Sequence, residues 1–414
     1  MKEIQILGGG TFNHVRNHLS LSAPAFGTTA RQIFDIITFD IRSFEYNTKL
    51  TLTKMADHSS SIVTNDDVST LLNDIINNKN TKIVFFNMAL CDYTGQIDNE
   101  TSGKYSTRLQ TNTGDQIMNL TPADKLIKRI RQHRKDIFLV AFKTTCGATE
   151  QEQYIAGLDL LKSNSVNLVL ANDTKNHRNM IIVPEEAKYC VTTDRNKVLK
   201  ELVDIALLRS SLHYTRSVVM DGESIDWNGN DIPESLRTVV NYCISRGAYK
   251  PFKNKTAGHF AFKADETTIL TSKRATNFNN LDTVGLVKVE STDRYNVVAY
   301  GAKPSVGGMS QRIIFTDHPG YDCIVHFHCP PTEDYMKHGL PIQQQRPYEC
   351  GSHECGDNTS KGLIQLEDGI KVVYLDQHGP NIVFKKNTNP DKVIQYIDKY
   401  FDLSLKTGGS VSIN

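Results

Sequence analysis

The chain has 414 residues with a formal net charge of +1, and 39% of its residues are hydrophobic and 22% charged. The length predicts two domains, and the composition is that of a globular protein. The near-zero net charge lacks the excess of positive charge that nucleic-acid binding requires. No apolar run approaches the roughly 18 residues that span a bilayer, and the first residues enter a strand-like run without a signal-peptide h-region, so we expect no membrane partner. Eight cysteines without a dense framework fit a reducing compartment, and we expect a cytoplasmic protein.

Residues 1–211 alternate strand-like and helix-like segments. The strand-like runs read EIQILGGGT, TKIVFFNMALCD, DIFLVAFKT and VNLVLAND, and the helix-like runs read TARQIFDIITFDI, PADKLIKRIRQH, EQEQYIAGLDLLKSN and NKVLKELVDIALLRSS. Continuous apolar strands between helices predict a doubly wound α/β domain with a mostly parallel sheet. Polar stretches follow these strands, where the ligand crevice of such sheets lies, and this favours a nucleotide-type ligand.

Residues 212–233 mix polar and turn residues, and we interpret them as a connector. A second domain then covers residues 234–414. It begins with the helix-like run ESLRTVVNYCISRGAYKP, continues through several strand-like runs that include IVHFH and KVVYLDQHG, and closes with the helix-like run PDKVIQYIDKYFDL. This order predicts an α+β or α/β domain.

The glycine triplet near the N-terminus follows a strand and precedes a helix. Backbone N–H groups of Gly8, Gly9, Gly10 and Thr11 are therefore candidates to cradle phosphates at a helix N-terminus. The triplet lacks the GxGxxG spacing of the dinucleotide fingerprint and the Gly-Lys-Ser/Thr of a P-loop, so a tight turn is the alternative interpretation.

Two histidines stand two residues apart in the apolar run DCIVHFH. In a strand, His326 and His328 point to the same face, at a spacing suited to one metal ion. His378, in the turn after the strand KVVYL, is the best candidate for a third ligand. Three histidines with an open position are typical of a catalytic zinc site, although hydrogen-bonded core histidines remain the alternative.

A second zinc hypothesis concerns the stretch CGSHECG. It places Cys350, His353 and Cys355 close together, and with Cys329 they are candidates for a closed structural zinc site. Their spacing is not that of a standard Cys-x-x-Cys knuckle, so free buried thiols are the competing interpretation.

Several polar stretches of the first half follow one another in a characteristic order. They are GGT, VR, NMALCDYTG, TGDQIMNLTPADKLIKRI, LVAFKTTCG and LVLANDT. In this order the chain resembles phosphopantothenoylcysteine synthetase domains along residues 1 to about 210. The resemblance implies a Rossmann-like domain that activates a carboxylate as an acyl nucleotide, with CTP or ATP and magnesium, and couples it to an amine. The nucleotide-binding residues that it implies are Gly9, Gly10, Thr11, Arg16, Ser20, Asp92, Arg108, Phe142, Asn172 and Asp173. Ser20 stands where the family has its acyl-intermediate asparagine, so we expect a related ligation on a different acid.

The second half carries TAGHFAF, ILTSKRA, KPSVGG, DCIVHFH and DQHGP in this order. From about Glu234 to Leu403 it resembles the class II aldolase/adducin family. The resemblance implies that the three histidines bind a divalent metal, most simply zinc, that polarises substrate oxygens. It implies an anion-binding set of His259, Ser272, Lys273, Arg274 and Ser305, although Lys273 and Arg274 are equally well interpreted as solvated loop charges.

The second half also departs from that family. The family's catalytic glutamate falls on Gly307, and its phosphate-binding asparagine falls on His259. A proton transfer at carbon then needs another group, and Glu354 and Asp376 are our candidates, with His353 beside them.

These observations predict a two-domain metabolic enzyme: a nucleotide-dependent ligase-like domain fused to a metal-dependent lyase or epimerase that acts on a small anionic metabolite. The alternative is a non-catalytic nucleotide- or metal-binding regulatory protein on retired enzyme scaffolds. The resemblances further imply a homo-oligomer, a dimer or a tetramer.

Overall fold

A computed structural model describes residues 1–367 and 369–407 of the chain. It divides into two compact units. The first unit contains Met1–Val183 and Tyr189–Ser210, and the second contains Pro184–Lys188 together with the chain from Ser211 onward. Within the described residues, no helix is both long and apolar enough to cross a membrane.

The elements in chain order are as follows. The strands before residue 211 are β1 (Lys2–Gly10), β2 (Phe12–Arg16), β3 (Leu19–Ser22), β4 (Tyr46–Leu52), β5 (Thr81–Ala89), β6 (Tyr93–Ile97), β7 (Met118–Pro122), β8 (Phe138–Thr145), β9 (Leu168–Asp173), β10 (Asn179–Ile182) and β11 (Lys188–Thr192). The helices there are α1 (Thr28–Thr38), α2 (Asn65–Asn77), α3 (Ile127–His133), α4 (Glu150–Asn164) and α5 (Arg195–Arg209), with 3₁₀ helices at Ile41–Glu45 and Thr111–Thr113.

The later strands are β12 (Arg216–Met220), β13 (Pro251–Phe252), β14 (Lys255–Thr256), β15 (His259–Lys263), β16 (Thr268–Ser272), β17 (Leu286–Ser291), β18 (Asn296–Tyr300), β19 (Cys323–His326), β20 (Ile342–Gln343), β21 (Ile364–Glu367), β22 (Ile370–Leu375) and β23 (Gly379–Phe384). The later helices are α6 (Glu234–Ser245), α7 (Leu281–Val284), α8 (Val306–Asp317), α9 (Glu333–Lys337), α10 (His353–Gly362) and α11 (Pro390–Tyr400), with a 3₁₀ helix at Phe278–Asn280.

The first unit is built on a seven-stranded sheet in the order β11-β10-β9-β8-β5-β1-β4. The five strands from β4 to β9 are parallel to their neighbours, and β10 is antiparallel to β9. The chain passes from β1 to β4 on one side and then returns to β5 on the other, so the strand order reverses between β1 and β5. This confirms the predicted doubly wound, mostly parallel sheet, and it places the switch point at the carboxyl ends of β1 and β5.

Helices cover this sheet, and α2 and α4 begin at well-formed caps. α1 packs on α5, while α3 packs on both α2 and α4. Thr64 and Asp67 form a reciprocal capping box at the start of α2, and Thr149 and Glu152 form another at the start of α4. Such caps satisfy N–H groups that the first turn of a helix leaves without intrahelical partners.

The second unit has a mostly antiparallel ten-stranded sheet in the order β12-β18-β17-β16-β15-β19-β23-β22-β20, with β21 also paired to β22. Its edge strand β12 lies inside the predicted connector 212–233 and is parallel to β18. All five residues of β12 are exposed. The strand therefore shows no apolar alternation from which the sequence could have indicated it.

The two faces of this second sheet follow from the alternation of side chains along each strand. Phe260, Val325 and Ile382 face a core shared with α6 and α11. Ala261 and Ile324 point to the opposite face, where α8 packs. His259 is two positions from Ala261, and His326 and His328 are two and four positions from Ile324. These three histidines therefore belong to the α8 face as well.

Candidate functional site

Three buried histidines meet where β19 and β22 end and β23 begins. His326 is the last residue of β19 and His328 lies two positions later, while Phe327 between them packs into the opposite core. His378 lies in the turn between β22 and β23. One ligand atom from each histidine lies within 4.8 Å of the others, and among the described residues this is the one such group of three or more potential metal ligands.

The ring nitrogens of His326 suit a metal ligand. Its Nδ1 lies 2.7 Å from the Pro380 carbonyl oxygen. Because a carbonyl only accepts, Nδ1 carries the hydrogen, and the Nε2 lone pair is left to face His378 Nε2 at 3.2 Å. Burial lowers the pKa of His326 well below its usual value, and the charge of His378 lowers it further. Three imidazoles fit the donor set of a divalent transition metal.

Gly379 allows the His378 turn to approach the end of β19. Its φ is +146°, and a Cβ at this position would lie 2.1 Å from the Phe327 carbonyl oxygen. Any side chain here would push His378 away from the other two histidines. The glycine of the HGP stretch is therefore required by packing.

A fourth histidine borders the group. His259 on β15 lies opposite His326 on β19, and their ring centroids are 4.6 Å apart. The Gln311 side chain contacts Nδ1 of His259, and a Cβ on Gly307 would lie only 1.9 Å from His259 Cδ2. The His259 ring thus occupies space beside the backbone of Gly307. Burial, followed by the charge of His328, lowers the pKa of His259 to about 3, so its ring is neutral near pH 7.

Two contacts around the triad were not indicated by the sequence. Asn381 on β23 lies opposite His326 and is buried, which completes a polar row across β15, β19 and β23. Thr407 donates its backbone N–H to the His328 carbonyl at 3.1 Å and its hydroxyl to the His378 carbonyl at 2.8 Å. A lone Asn in an apolar strand and a Thr near the C-terminus carry no motif that could have indicated these roles.

The predicted anion-binding residues lie along two paired segments that lead to α8. The Ser305 N–H donates to the Ser272 carbonyl at 2.8 Å, and the Arg274 N–H donates to the Lys303 carbonyl at 2.9 Å. The Ser272 hydroxyl is buried and has no hydrogen-bond partner among the described residues, and Ser305 precedes α8 without capping it. The structure therefore brings Arg274 and Ser305 together near the N-terminus of a twelve-residue helix, whereas Ser272 lies opposite Leu286 and points to the α6/α11 core.

Two members of that set are less suited to bind an anion than predicted. The Lys273 ammonium contacts the Ser224 hydroxyl and the Val284 carbonyl, so part of its donor capacity is used within the fold. His259 is neutral for the reason given above, and it offers an anion a hydrogen bond at most.

The predicted catalytic carboxylates lie outside the histidine group. Glu354, the second residue of α10, accepts hydrogen bonds from the His213 N–H and Nδ1 at 3.0 and 2.7 Å. His353 contacts the Thr215 hydroxyl, at 2.9 Å. Asp376 is exposed and is the first residue of the turn that carries His378, two positions before it. Of these, Asp376 is the closest to the triad in sequence, and catalytic roles for both carboxylates stay predictions.

The structural-zinc hypothesis finds no support. Among the described residues, Cys350, His353, Cys355 and Cys329 do not form a group of potential ligands. The eight cysteines all lie within the described residues and form no disulfide. Cys329 belongs to the α6/α11 core, on the opposite face of the sheet from α8.

The glycine triplet does not form the predicted phosphate cradle. The Gly10 N–H donates to the Ala25 carbonyl at 2.8 Å, and the Thr11 N–H donates to the Ala89 carbonyl at 3.0 Å. The Thr11 hydroxyl bonds to Asn65 Oδ1 at 2.7 Å, and a Cβ on Gly9 would lie 2.2 Å from Thr53 Oγ1. These groups already bind the fold, so here the triplet serves the close approach of neighbouring segments.

Three further predicted nucleotide-binding residues lie on or beside the β2–β3 and β6–β7 hairpins. Arg16 is buried, donates to the Val15 and Ile97 carbonyls, and pairs with Glu100 at 3.3 Å. Ser20 is exposed and its hydroxyl lies 2.8 Å from His14 Nδ1. Arg108 is exposed. Of the three, Arg16 is inaccessible to a ligand without rearrangement.

The remaining predicted residues lie at carboxyl ends of parallel strands or just beyond them. Asp92 follows β5 and forms an exposed pair with Lys125 at 2.5 Å. Phe142 on β8 is half-buried, as is Asn172 on β9. Asp173 accepts hydrogen bonds from the Gly147 and Ala148 N–H groups at 3.0 and 2.9 Å, and such bonds hold its pKa well below the usual value. Asp92, Phe142 and Asn172 remain available to a ligand, whereas Asp173 has a structural role.

Comparisons with known proteins concern each half of the chain separately. No protein-family model matches the chain, and no curated protein matches it significantly. The DNA/pantothenate metabolism flavoprotein from Streptococcus pneumoniae is similar at 19% identity over 49% of this chain and 97% of its own, with a TM-score of 0.40. An L-fuculose 1-phosphate aldolase is similar at 16% identity over 41% of this chain and 85% of its own, with a TM-score of 0.30. YgbL from Escherichia coli, a putative aldolase/epimerase/decarboxylase, is similar at 17% identity over 39% and 84%, with a TM-score of 0.29. Each of these similarities covers no more than about half of this chain.

Proposed function

We propose that the second unit is a divalent-metal enzyme of the lyase or epimerase type that acts on a small anionic metabolite. The observation that carries this proposal is the buried triad of His326, His328 and His378. The triad would hold the metal, and zinc is the ion that suits three imidazoles best. When bound, such an ion polarises a carbonyl or hydroxyl oxygen of the substrate.

The chain's own residues supply binding and orientation. The Ser305 hydroxyl and the Arg274 guanidinium, near the N-terminus of α8, would bind the anionic group of the substrate, because helix N-termini and guanidinium groups both favour negative charge. Gly307 lies two residues beyond Ser305 and against His259, whose ring centroid is 4.6 Å from that of His326. The anion-binding segment therefore leads directly to the histidine triad.

For the first unit we propose nucleotide binding at the carboxyl ends of the parallel strands, with Asp92, Phe142 and Asn172 as the contacts. A ligase-like activation of a carboxylate is the reaction that the motifs of this half support. The engaged Gly10 and Thr11 amides favour a second candidate for the first unit, a nucleotide-binding domain without ligase chemistry.

The first experiment is metal analysis of the full chain by mass spectrometry. We expect about one divalent ion per chain, lost when both His326 and His328 are replaced by alanine. His338→Ala is the matched control, because His338 is exposed and lies outside the triad. Equal metal content in the double variant and the wild type would refute the site.

The same samples are then titrated with CTP and with ATP in the presence of magnesium. Saturable binding that survives the double histidine substitution supports separate sites in the two units. A wild-type chain that binds neither nucleotide would refute the proposal for the first unit and leave the metal site untouched.

A further inference from the structure

The short segment Pro184–Lys188 belongs to the second unit and carries two adjacent buried glutamates. Glu185 is 1% exposed and Glu186 is 2% exposed. A carboxylate taken out of water is costly unless it is paired or hydrogen-bonded. What each carboxylate faces therefore indicates what it does.

The two glutamates face different groups. The Glu185 carboxylate accepts the Cys350 N–H at 2.5 Å and lies 3.5 Å from Gln345 Nε2. The Glu186 carboxylate contacts the Lys406 ammonium, and its Oε2 lies 3.8 Å from His328 Nδ1. Only the second of these carboxylates is seen next to a histidine of the triad.

Lys406 is itself buried and precedes Thr407, whose N–H and hydroxyl bind the carbonyl oxygens of His328 and His378. Thr407 is therefore fixed to the backbone of two triad histidines, and Lys406 is its immediate neighbour in the chain. Lys406 in turn holds the Glu186 carboxylate beside the His328 ring. The pair is electrically balanced, so it can be buried next to a cation site without adding net charge.

We propose that Glu186, held by Lys406, is a positioning residue that orients His328 for metal binding. A carboxylate beside Nδ1 favours the tautomer with hydrogen on that atom, which leaves the Nε2 lone pair for the ion. The Pro380 carbonyl fixes the same tautomer of His326 through a hydrogen bond of 2.7 Å, whereas Glu186 acts on His328 by charge across 3.8 Å. This inference rests on the proposed metal site and deepens it, because it adds an outer partner that no sequence motif indicates.

The test measures Zn²⁺ affinity of the full chain by competition with a chromophoric chelator. Outer partners of metal-bound histidines typically change affinity about 10–100-fold, and we expect a loss in this range for Glu186→Gln. Glu185→Gln is the matched control, because it removes the neighbouring buried carboxylate, which binds Cys350 and Gln345 instead. We expect its Zn²⁺ affinity to stay within about threefold of the wild type.

A double variant separates positioning from stability. Glu186→Gln alone leaves Lys406 charged and buried, so it destabilises the fold. Glu186→Gln with Lys406→Met removes both charges and restores the unfolding temperature of the metal-free chain, yet we expect the same loss of Zn²⁺ affinity. Wild-type Zn²⁺ affinity in the double variant would overturn the positioning role of Glu186 and leave the metal site itself intact. A wild-type chain that binds no Zn²⁺ would instead overturn the metal site and this inference with it.

Discussion

Replacing Gly307 by alanine tests how tightly the fourth histidine is packed. Gly307 is the second residue of α8, and alanine is favoured over glycine in a helix by about 0.5–1 kcal/mol. The added Cβ would lie 1.9 Å from His259 Cδ2 and 2.4 Å from its Nε2. Overpacking of a buried site costs about 1–3 kcal/mol, so we expect a net destabilisation by Gly307→Ala in the wild-type background.

The sign should reverse once the imidazole is removed. In a His259→Ala background the clash is gone, and Gly307→Ala should stabilise the fold by up to about 0.5–1 kcal/mol. The difference between the two backgrounds is a coupling energy of about 2 kcal/mol. Gly320→Ala is the control, because a Cβ at Gly320 meets no atom within 4 Å.

The assay is denaturant unfolding followed by tryptophan fluorescence. Trp227 is the single tryptophan of the chain, and it is buried in the second unit, so its signal reports that unit alone. Equal effects of Gly307→Ala with and without His259 would show that the ring does not occupy this space, and the reasoning would fail.

Two further predictions concern carboxylates that bind N–H donors. Burial alone would raise the pKa of Glu354, but hydrogen bonds from His213 hold it below its ordinary value of 4.5. The stabilisation by Glu354 is present above pH 4.5 and is lost as pH falls through the lowered pKa. Glu354→Gln should therefore lower the free energy of unfolding by about 1 kcal/mol at pH 7 and leave it unchanged at the acid end, as measured by Trp227 fluorescence. A loss of stability that does not depend on pH would contradict this. Asp173→Asn places an amide against the Gly147 and Ala148 N–H groups and should destabilise the β8–α4 loop, because a neutral acceptor replaces a charged one. Hydrogen exchange of those two amides should accelerate, and unchanged protection would contradict the structural role of Asp173.

The histidine triad could be predicted from sequence because its signal is local. Alternation along a strand places His326 and His328 on one face, and a turn glycine follows His378 at once. The mostly parallel sheet of the first unit could be predicted for a similar reason, because continuous apolar strands between helices indicate a parallel sheet.

Contacts between residues far apart in sequence could not be predicted. The space at Gly307 is taken by a ring 48 positions earlier in the chain, and Thr407 reaches back to the carbonyls of His328 and His378. The contacts of the glycine triplet could not be predicted for the same reason. The N–H groups of Gly10 and Thr11 bind the carbonyl oxygens of Ala25 and Ala89, which lie in later parts of the chain. A strand that is wholly exposed, such as β12, gives no periodic signal at all.

The second unit is discontinuous in sequence, since residues 189–210 of the first unit separate Pro184–Lys188 from the rest of it. A fragment that starts at Ser211 would therefore contain all three histidines and still lack Glu186. It would retain Lys406, buried and charged, without the carboxylate that contacts it in the whole chain. Loss of one partner of a buried ion pair costs about 3–5 kcal/mol, which is a large part of the stability of an ordinary domain. Cutting this protein at the apparent border of its units would thus weaken the half that was meant to be isolated.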